Sequence, residues 1–268
     1  SWYRRQRQMC IRDSPSTVGK AGRPEFVKQR EILGVKRKTD LPASPDCPSC
    51  RPVATVPPMA QFEIHSLDGS RAEQAFALAS LNFATQSVLH KALGADLEEY
   101  RAYLRPTFFN DLGDGLSLMA TGPGSGELMG ILVVRDFCKQ RFAAELPYQD
   151  KYDQISALFE ELEAIYLQTR QLAAGDALLV DMAAVLPAHA GKGIYQALRT
   201  EISIRAKSLG YKYIIGELTS KATQKVVLEK MGHRKSAEIA FAEFTLNGRL
   251  PFATITDPKT VILAEETL

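Results

Sequence analysis

The sequence predicts a mixed α/β domain over residues 59–268. Apolar runs typical of strands alternate in this region with amphipathic patterns typical of helices. One of the apolar runs leads through a Gly-Lys-Gly turn straight into an amphipathic helix. Hydrophobic residues make up 45% of the 268-residue chain and charged residues 24%, which is ordinary for a globular protein.

The first 58 residues differ from the rest in composition. They carry 12 Lys and Arg against 5 Asp and Glu, and they hold 8 of the 14 prolines. No helical or strand period is visible in them. We therefore expect residues 1–58 to be a basic, Pro-rich tail that is disordered or foreign to the natural protein, whose start would be Met59. Because the basic charge lies in this tail, we expect no nucleic-acid partner.

The cysteines and the apolar runs indicate in which compartment the protein lies and whether it binds a metal or a membrane. Cys138 is the one cysteine after residue 58, so we expect no internal disulfide, as in a reducing compartment. Cys47 and Cys50 lack the second ligand pair that a zinc site needs. No apolar run is long enough for a membrane span, and no apolar segment of a secretory signal follows the first arginines. We expect a soluble, cytoplasmic protein without a metal or a membrane partner.

The first half of the domain predicts a strand, a helix, a hairpin and a second helix. Their expected ranges are Gln61–His65, Arg71–Leu93, the paired strands Ser117–Ala120 and Leu128–Phe137, and Tyr152–Arg170.

The second half continues the alternation. Gly232 is placed to end its second helix, because glycine favours the position after a helix C-terminus. The expected elements are a strand at Leu178–Leu186, a helix at Gly193–Leu209, a strand at Tyr211–Leu218, a helix at Thr223–Met231, and strands at Ser236–Leu246 and Val261–Glu265.

The junction between the Leu178–Leu186 strand and the Gly193–Leu209 helix predicts an anion site. The first N–H groups of a helix have no carbonyl partner within it, and the positive end of the helix dipole lies beside them. Gly191 and Gly193 supply the turn that brings these groups to one spot. Pyrophosphate is the anion that such strand–turn–helix junctions bind.

At this junction the chain resembles the acyl-CoA-dependent N-acetyltransferases of the GNAT superfamily. Their signature, Arg/Gln-x-x-Gly-x-Gly/Ala, lies over Ala190–Tyr195. Gly193 fits the first glycine, Ala190 replaces the Arg or Gln, and Tyr195 replaces the second small residue. The stretch Thr219–Gly232 is similar to one in the arylalkylamine and dopamine N-acetyltransferases. The resemblance extends over about residues 60–268.

The resemblance implies a mixed, mostly antiparallel sheet flanked by helices, with a splayed pair of strands at an acyl-CoA cleft. It implies transfer of an acetyl group from acetyl-CoA to a small primary amine, with arylalkylamines as one candidate class, by direct attack in a ternary complex. The positions implied for the co-substrate share backbone access to the cleft. They are Ala183, Val185, Ala190, Gly191, Lys192, Gly193, Ile194 and Tyr195.

The reaction also needs a proton acceptor, because removing a proton from an amine of pKa near 10 at pH 7 costs about 4 kcal/mol. Asp181 interrupts an apolar strand where vertebrate-type family members place a histidine, and it is our first candidate; a structural ion pair is the alternative. Glu217 is the second candidate. Ser87 stands near the glutamate position of the dopamine-type enzymes, so that base is missing.

Hydroxyl groups are the remaining candidates for the chemistry. Thr219 and Thr223 match the paired hydroxyls of the dopamine-type enzymes, although Thr223 could instead cap its helix. The tyrosine that many family members use as an acid is missing from the Thr223–Met231 helix.

Two other functions remain open. The missing glutamate, the missing tyrosine and the altered loop would suit a module of the same fold that binds acyl-CoA without turnover. A Rossmann-like nucleotide-binding protein is the other possibility, since Glu217 follows Gly193 by 24 residues. The Rossmann pattern, however, requires a third glycine that is missing after Gly193.

Overall fold

The computed structural model describes residues 62–139 and 145–268. The expected tail over residues 1–58 and the proposed start at Met59 lie outside the described residues. Within the described part, no helix combines the length and the apolar composition that crossing a bilayer requires.

Among residues 62–139 and 145–268, seven strands form one sheet in the order β1-β2-β3-β4-β5-β7-β6. All neighbours in it are antiparallel except β4 and β5. This confirms the predicted mixed, mostly antiparallel sheet and is incompatible with the doubly wound parallel sheet of a Rossmann-like protein. The strands are β1 Glu63–Ser66, β2 Leu118–Thr121, β3 Leu128–Asp136, β4 Ala177–Val185, β5 Tyr213–Leu218, β6 Arg234–Ala240 and β7 Thr260–Thr267.

Helices cover both faces of this sheet. Apolar side chains of α1, α3 and α4 pack on one face, and those of α5 pack on the other. The helices are α1 Ala72–Gln86, α2 Val88–Ala92, α3 Leu97–Leu112, α4 Gln149–Leu167, α5 Ile194–Ser208 and α6 Lys221–Gln224, which continues as a π-helical segment, Lys225–Lys230.

The predicted helix Arg71–Leu93 is wrong as a single helix, because Ser87 interrupts it. The backbone of Ser87 is extended, with φ −67° and ψ 130°, and its hydroxyl accepts from the N–H of His90. Serine favours such a cap over a helix interior, since its oxygen satisfies an otherwise unpaired N–H group.

Helix α3 is missing from the sequence-based prediction. Its start is well defined, because the Asp96 carboxylate accepts from the N–H groups of Glu98 and Glu99 at 2.8 and 3.1 Å. Its buried apolar residues Tyr100, Leu104 and Phe108 are four positions apart with Arg101 and Arg105 between them, and Pro106 lies inside it. Proline usually ends a helix.

Two elements near the C-terminal end differ from the prediction. The Thr223–Met231 helix is α-helical only as far as Gln224 and π-helical after it. The Ser236–Leu246 strand ends at Ala240, where the chain turns so that Phe241 and Phe244 pack against Phe252.

Candidate active site

A V-shaped gap opens between β4 and β5. The two strands pair only from Ala177 with Tyr213 to Val180 with Gly216. Beyond that vertex β4 follows β3 as far as Val185, and β5 follows β7 as far as Leu218. The sheet therefore contains the splayed pair of strands that the resemblance implied.

Backbone N–H groups of β4 face this gap. The N–H of Leu186 donates to the carbonyl of Met129 on β3 at 2.9 Å. Because successive N–H groups of a strand point to opposite sides, those of Ala183 and Val185 point away from β3 and toward the gap. The structure thus places both residues where the resemblance implied contacts to a co-substrate.

The turn after β4 presents further N–H groups. Gly191 and Gly193 have φ of 76° and 81°, in the left-handed region that favours glycine. A Cβ on either glycine would meet no atom within 4 Å, so the space in front of the turn is open. Helix α5 begins at Ile194, and the Ala197 N–H donates to the Gly193 carbonyl at 3.0 Å. The N–H groups of Ile194, Tyr195 and Gln196 therefore have no intrahelical acceptor.

The side chains of the turn lie to its sides. Ala190 precedes the glycines, and the Lys192 ammonium lies 3.2 Å from Nδ1 of His189. Tyr195, where a small residue was expected, packs its ring inward against the apolar cluster of Leu218 and Val227. Burial raises the pKa of its phenol. The ring leaves the front of the turn accessible to an anion.

Asp181 is the extra residue of a bulge in β4. Val133 of β3 pairs with Met182, and the next residue, Val134, pairs with Val180. A bulge of this kind bends the strand and redirects its side chains. As a result, Asp181 and Met182 both line one cavity. Asp181 also forms an ion pair with Arg135, whose side chain is 1% exposed, at 3.3 Å between Nε and Oδ1.

The cavity lies against the face of the sheet opposite α5 and has a volume of about 100 Å³. Helices α1 to α4 contribute its walls, and the ends of the splayed strands contribute its floor. Aromatic rings dominate the lining and alternate with polar groups. The rings belong to Phe83, His90, Tyr100, Tyr103, Tyr152 and Phe159, and the polar groups to Ser87, Thr107, Asp111, Ser156, Asp181 and Thr219.

His90 is an uncharged member of this lining. Burial lowers its pKa to about 4, so the ring is neutral at pH 7. Its Nδ1 lies 2.9 Å from the Ser87 hydroxyl, and its ring meets that of Tyr100 edge to face at 4.3 Å. Sequence reasoning missed this residue and the tyrosines of α3. The Asp96 cap and the spacing of Tyr100, Leu104 and Phe108 would have indicated that helix.

The other predicted catalytic residues occupy different places. Thr219 directly follows β5 and lines the cavity. Glu217 lies on the part of β5 that no longer pairs with β4. It pairs with Leu263 of β7 and is not part of the cavity lining. Thr223 is not the helix cap: Ser220 caps α6 and accepts from the Thr223 N–H at 3.1 Å. The Thr223 hydroxyl donates to the Ser220 carbonyl at 2.9 Å, within the first turn of α6.

Neither a protein-family model nor a curated protein matches the chain. Solved structures do match its fold. The C-terminal condensation domain of Ebony, in complex with β-alanyl-dopamine, superposes with a TM-score of 0.71 at 15% identity. A mosquito arylalkylamine N-acetyltransferase-like protein, 5b, gives 0.64 at 16%, and a Drosophila melanogaster polyamine N-acetyltransferase gives 0.62 at 14%. Each alignment covers 78% of this chain and 100% of the other.

The chain therefore has the GNAT fold in the form seen in arylalkylamine and polyamine N-acetyltransferases. Identities of 14 to 16% establish a shared fold. What the cleft binds and does has to follow from its own residues.

Proposed function

We propose that the protein is an acyl-CoA-dependent N-acyltransferase that transfers an acetyl group from acetyl-CoA to a primary amine. One observation carries this proposal. The gap between β4 and β5 joins an anion-binding turn on one face of the sheet to an aromatic, acidic cavity on the other. Two substrates can thus approach the same gap from opposite sides, as direct transfer without an acyl-enzyme requires.

The residues of the gap fit acyl-CoA. The open turn from Ala190 to Tyr195 offers N–H groups and a helix dipole to the pyrophosphate, with Lys192 beside it. The N–H groups of Ala183 and Val185 offer donors along the unpaired edge of β4. When bound, acetyl-CoA supplies a thioester whose carbonyl carbon accepts the amine and whose C–S bond then breaks. Of the two, the Ala183 N–H, which is nearer to Asp181, stabilises negative charge on the carbonyl oxygen, and the Val185 N–H binds the pantetheine.

The cavity fits a small amine with an aromatic or extended apolar body. Its rings provide apolar surface and attract a cation through their faces. Asp181 and Asp111 supply carboxylates at the wall. The fold neighbours support this choice, because one is in complex with β-alanyl-dopamine and others are named for arylalkylamine and polyamine substrates.

Proton transfer falls to the residues at the cavity floor. Asp181 accepts, directly or through one water, the proton that the substrate ammonium must lose before its nitrogen can attack the thioester carbonyl. Arg135 fixes the orientation of its carboxylate. Glu217 is the second candidate acceptor. We propose that Thr219, which lines the cavity, donates a hydrogen bond to the departing sulfur, and that Thr223 holds the start of α6 and thereby the position of Thr219.

The test begins with binding and continues with turnover. The melting temperature is measured with acetyl-CoA and with NAD, and thiol release is then followed across a panel of amines. We expect a shift with acetyl-CoA alone and thiol release that depends on the amine. Asp181→Asn should lower thiol release and change its pH profile, whereas Asp257→Asn, an exposed carboxylate, serves as the control. An absent shift with acetyl-CoA would refute the proposal.

A module that binds acyl-CoA without turnover is the second candidate. The buried ion pair with Arg135 favours it, because it engages the carboxylate that would accept the proton. In that case acetyl-CoA raises the melting temperature while no amine of the panel releases thiol.

A further inference from the structure

Arg199 of α5 is a fully buried cation with unused hydrogen-bond donors. Its side chain is 0% exposed. Its Nη2 lies 3.2 Å from Nδ1 of His233, but Nε and Nη1 have no hydrogen-bond partner among the residues that the structure describes. Burying a charged donor without a partner is costly, so such a group calls for a ligand.

The guanidinium lies at the vertex of the gap. Its Nη1 is 3.0 Å from the point where a Cβ on Gly216 would lie, and Val180 Cβ is 3.7 Å from the same point. Val180 and Gly216 form the last pair before β4 and β5 separate. Arg199 therefore reaches the vertex from the α5 side, whereas Asp181 reaches the next residue of β4 from the cavity side.

The groups around Arg199 do not neutralise it directly. A guanidinium has only donors, so His233 Nδ1 must be the acceptor and His233 carries its proton on Nε2. That atom lies 3.5 Å from Oε2 of Glu266. Glu266 in turn accepts from the Ser203 hydroxyl at 2.6 Å. The Glu266 carboxylate therefore acts on Arg199 through the neutral imidazole of His233. Nε and Nη1 of Arg199 still have hydrogen bonds to donate.

We propose that Arg199 binds a carboxylate at the far end of the acyl group, so that the preferred donors are thioesters of dicarboxylic acids. This inference rests on the proposed function. The CoA chain, held by its pyrophosphate at the turn and extended along β4 from Val185 to Asp181, covers about 13 Å of strand and brings the thioester to the position next to the vertex. A carboxylate separated from the thioester carbonyl by one or two methylene groups then meets the guanidinium and accepts a charge-assisted hydrogen bond from its free Nε or Nη1.

Gly216 is part of the same arrangement. Any side chain at this position would press on the guanidinium, because its Cβ would lie 3.0 Å from Nη1. Glycine leaves the arginine in contact with the sheet at the point where the strands part. Gly216→Ala should therefore weaken the preference for carboxylate-bearing donors, in the same direction as removal of Arg199.

The test compares donors of equal carbon number with and without a terminal carboxylate: malonyl-CoA against propionyl-CoA, and succinyl-CoA against butyryl-CoA. Two readouts are taken on the full chain, the shift in melting temperature and thiol release with one reactive amine. We expect a larger shift for the carboxylated donor of each pair and at least about a tenfold advantage in kcat/KM, as for a site built to pair with a polar group.

Variants of Arg199 test whether this residue causes the preference for carboxylated donors. Arg199→Met should bring both pairs to parity, and Arg199→Lys should keep part of the preference. Arg205→Met, on the same helix and paired with Glu201 near the surface, should leave the preference intact. The wild-type comparison decides the matter even where a variant does not fold.

Equal shifts and equal rates within each pair, or an unchanged preference in Arg199→Met, would overturn the inference. Acetyl-CoA would still bind and react in that case, so the proposed function would stand. If no thioester shifts the melting temperature, the proposed function fails, and the inference fails with it.

Discussion

Arg135 and Asp181 form a buried ion pair across β3 and β4, at the bulge that turns Asp181 into the cavity. Their atoms Nε and Oδ1 are 3.3 Å apart, and the side chains are 1% and 11% exposed. The bulge points the Asp181 side chain into the cavity, and Arg135 holds the carboxylate in that orientation. The pairing register of β3 and β4 therefore determines the position of the candidate proton acceptor.

Removing Arg135 should destabilise the protein strongly. Arg135→Met leaves Asp181 as a buried charge without its partner, and we expect a loss of about 3 kcal/mol in the free energy of unfolding. Urea denaturation measures it. The double variant Arg135→Met with Asp181→Leu should recover most of the loss, because neither charge remains.

An exposed pair provides the contrast. Lys235 and Glu238 are 51% and 36% exposed, so Lys235→Met should change the free energy of unfolding by less than about 1 kcal/mol. Comparable losses in Arg135→Met and Lys235→Met would show that burial adds nothing to the Arg135 pair.

Stability should fall on acidification through His90. Its pKa is about 4 in the folded protein against the ordinary value of 6.5 for histidine, so the unfolded chain binds the proton more readily. The free energy of unfolding that neutral His90 contributes is present above pH 6.5 and is lost as the pH falls toward 4. The loss is about 2 kcal/mol between pH 7 and pH 5.

Comparing the His90→Phe variant with wild type isolates this contribution. Urea denaturation at pH 7 and pH 5 should show a smaller acid loss in His90→Phe than in wild type. His65, which is exposed, is the control: His65→Phe should keep the full loss. Identical pH dependence in His90→Phe and wild type would mean that His90 is not a buried neutral group.

The turn glycine Gly193 should matter for binding as well as for stability. Gly193→Ala places a side chain at φ 81°, which costs about 1 kcal/mol, and disturbs the N–H groups at the start of α5. Gly210→Ala, at φ 88° beyond the other end of α5, is a matched control with the same backbone strain. Calorimetry with acetyl-CoA should show about tenfold weaker binding for Gly193→Ala alone. Equal affinity in both variants would place the anion elsewhere.

The parts of the fold that the sequence predicts are those encoded by residues close together in the chain. The turn at Gly191 and Gly193 and the strand and helix that flank it follow from glycine conformation and apolar periodicity, both of which are local. The split of the first helix at Ser87 and the existence of α3 were missed. Pro106 and the charged residues between Tyr100, Leu104 and Phe108 hid a pattern that packing against the sheet reveals.

The site depends on contacts that no local pattern encodes. Asp181 was singled out because it interrupts an apolar strand, yet its bulge and its partner Arg135 depend on how β4 pairs with β3. The aromatic cavity joins residues of α1 to α4 that are up to 76 positions apart, from Phe83 to Phe159. The burial of Arg199 could not be predicted for the same reason, because in the sequence it is one more polar residue of an amphipathic helix.

The central claim is that the gap between β4 and β5 binds an acyl-CoA and passes its acyl group to an amine. Its most direct test is thiol release by the full chain with acetyl-CoA, with and without an arylalkylamine, in wild type and Asp181→Asn. The account predicts release that requires the amine and is reduced in Asp181→Asn, together with a melting-temperature shift by acetyl-CoA in both proteins. The absence of both a melting-temperature shift and thiol release in wild type would contradict it.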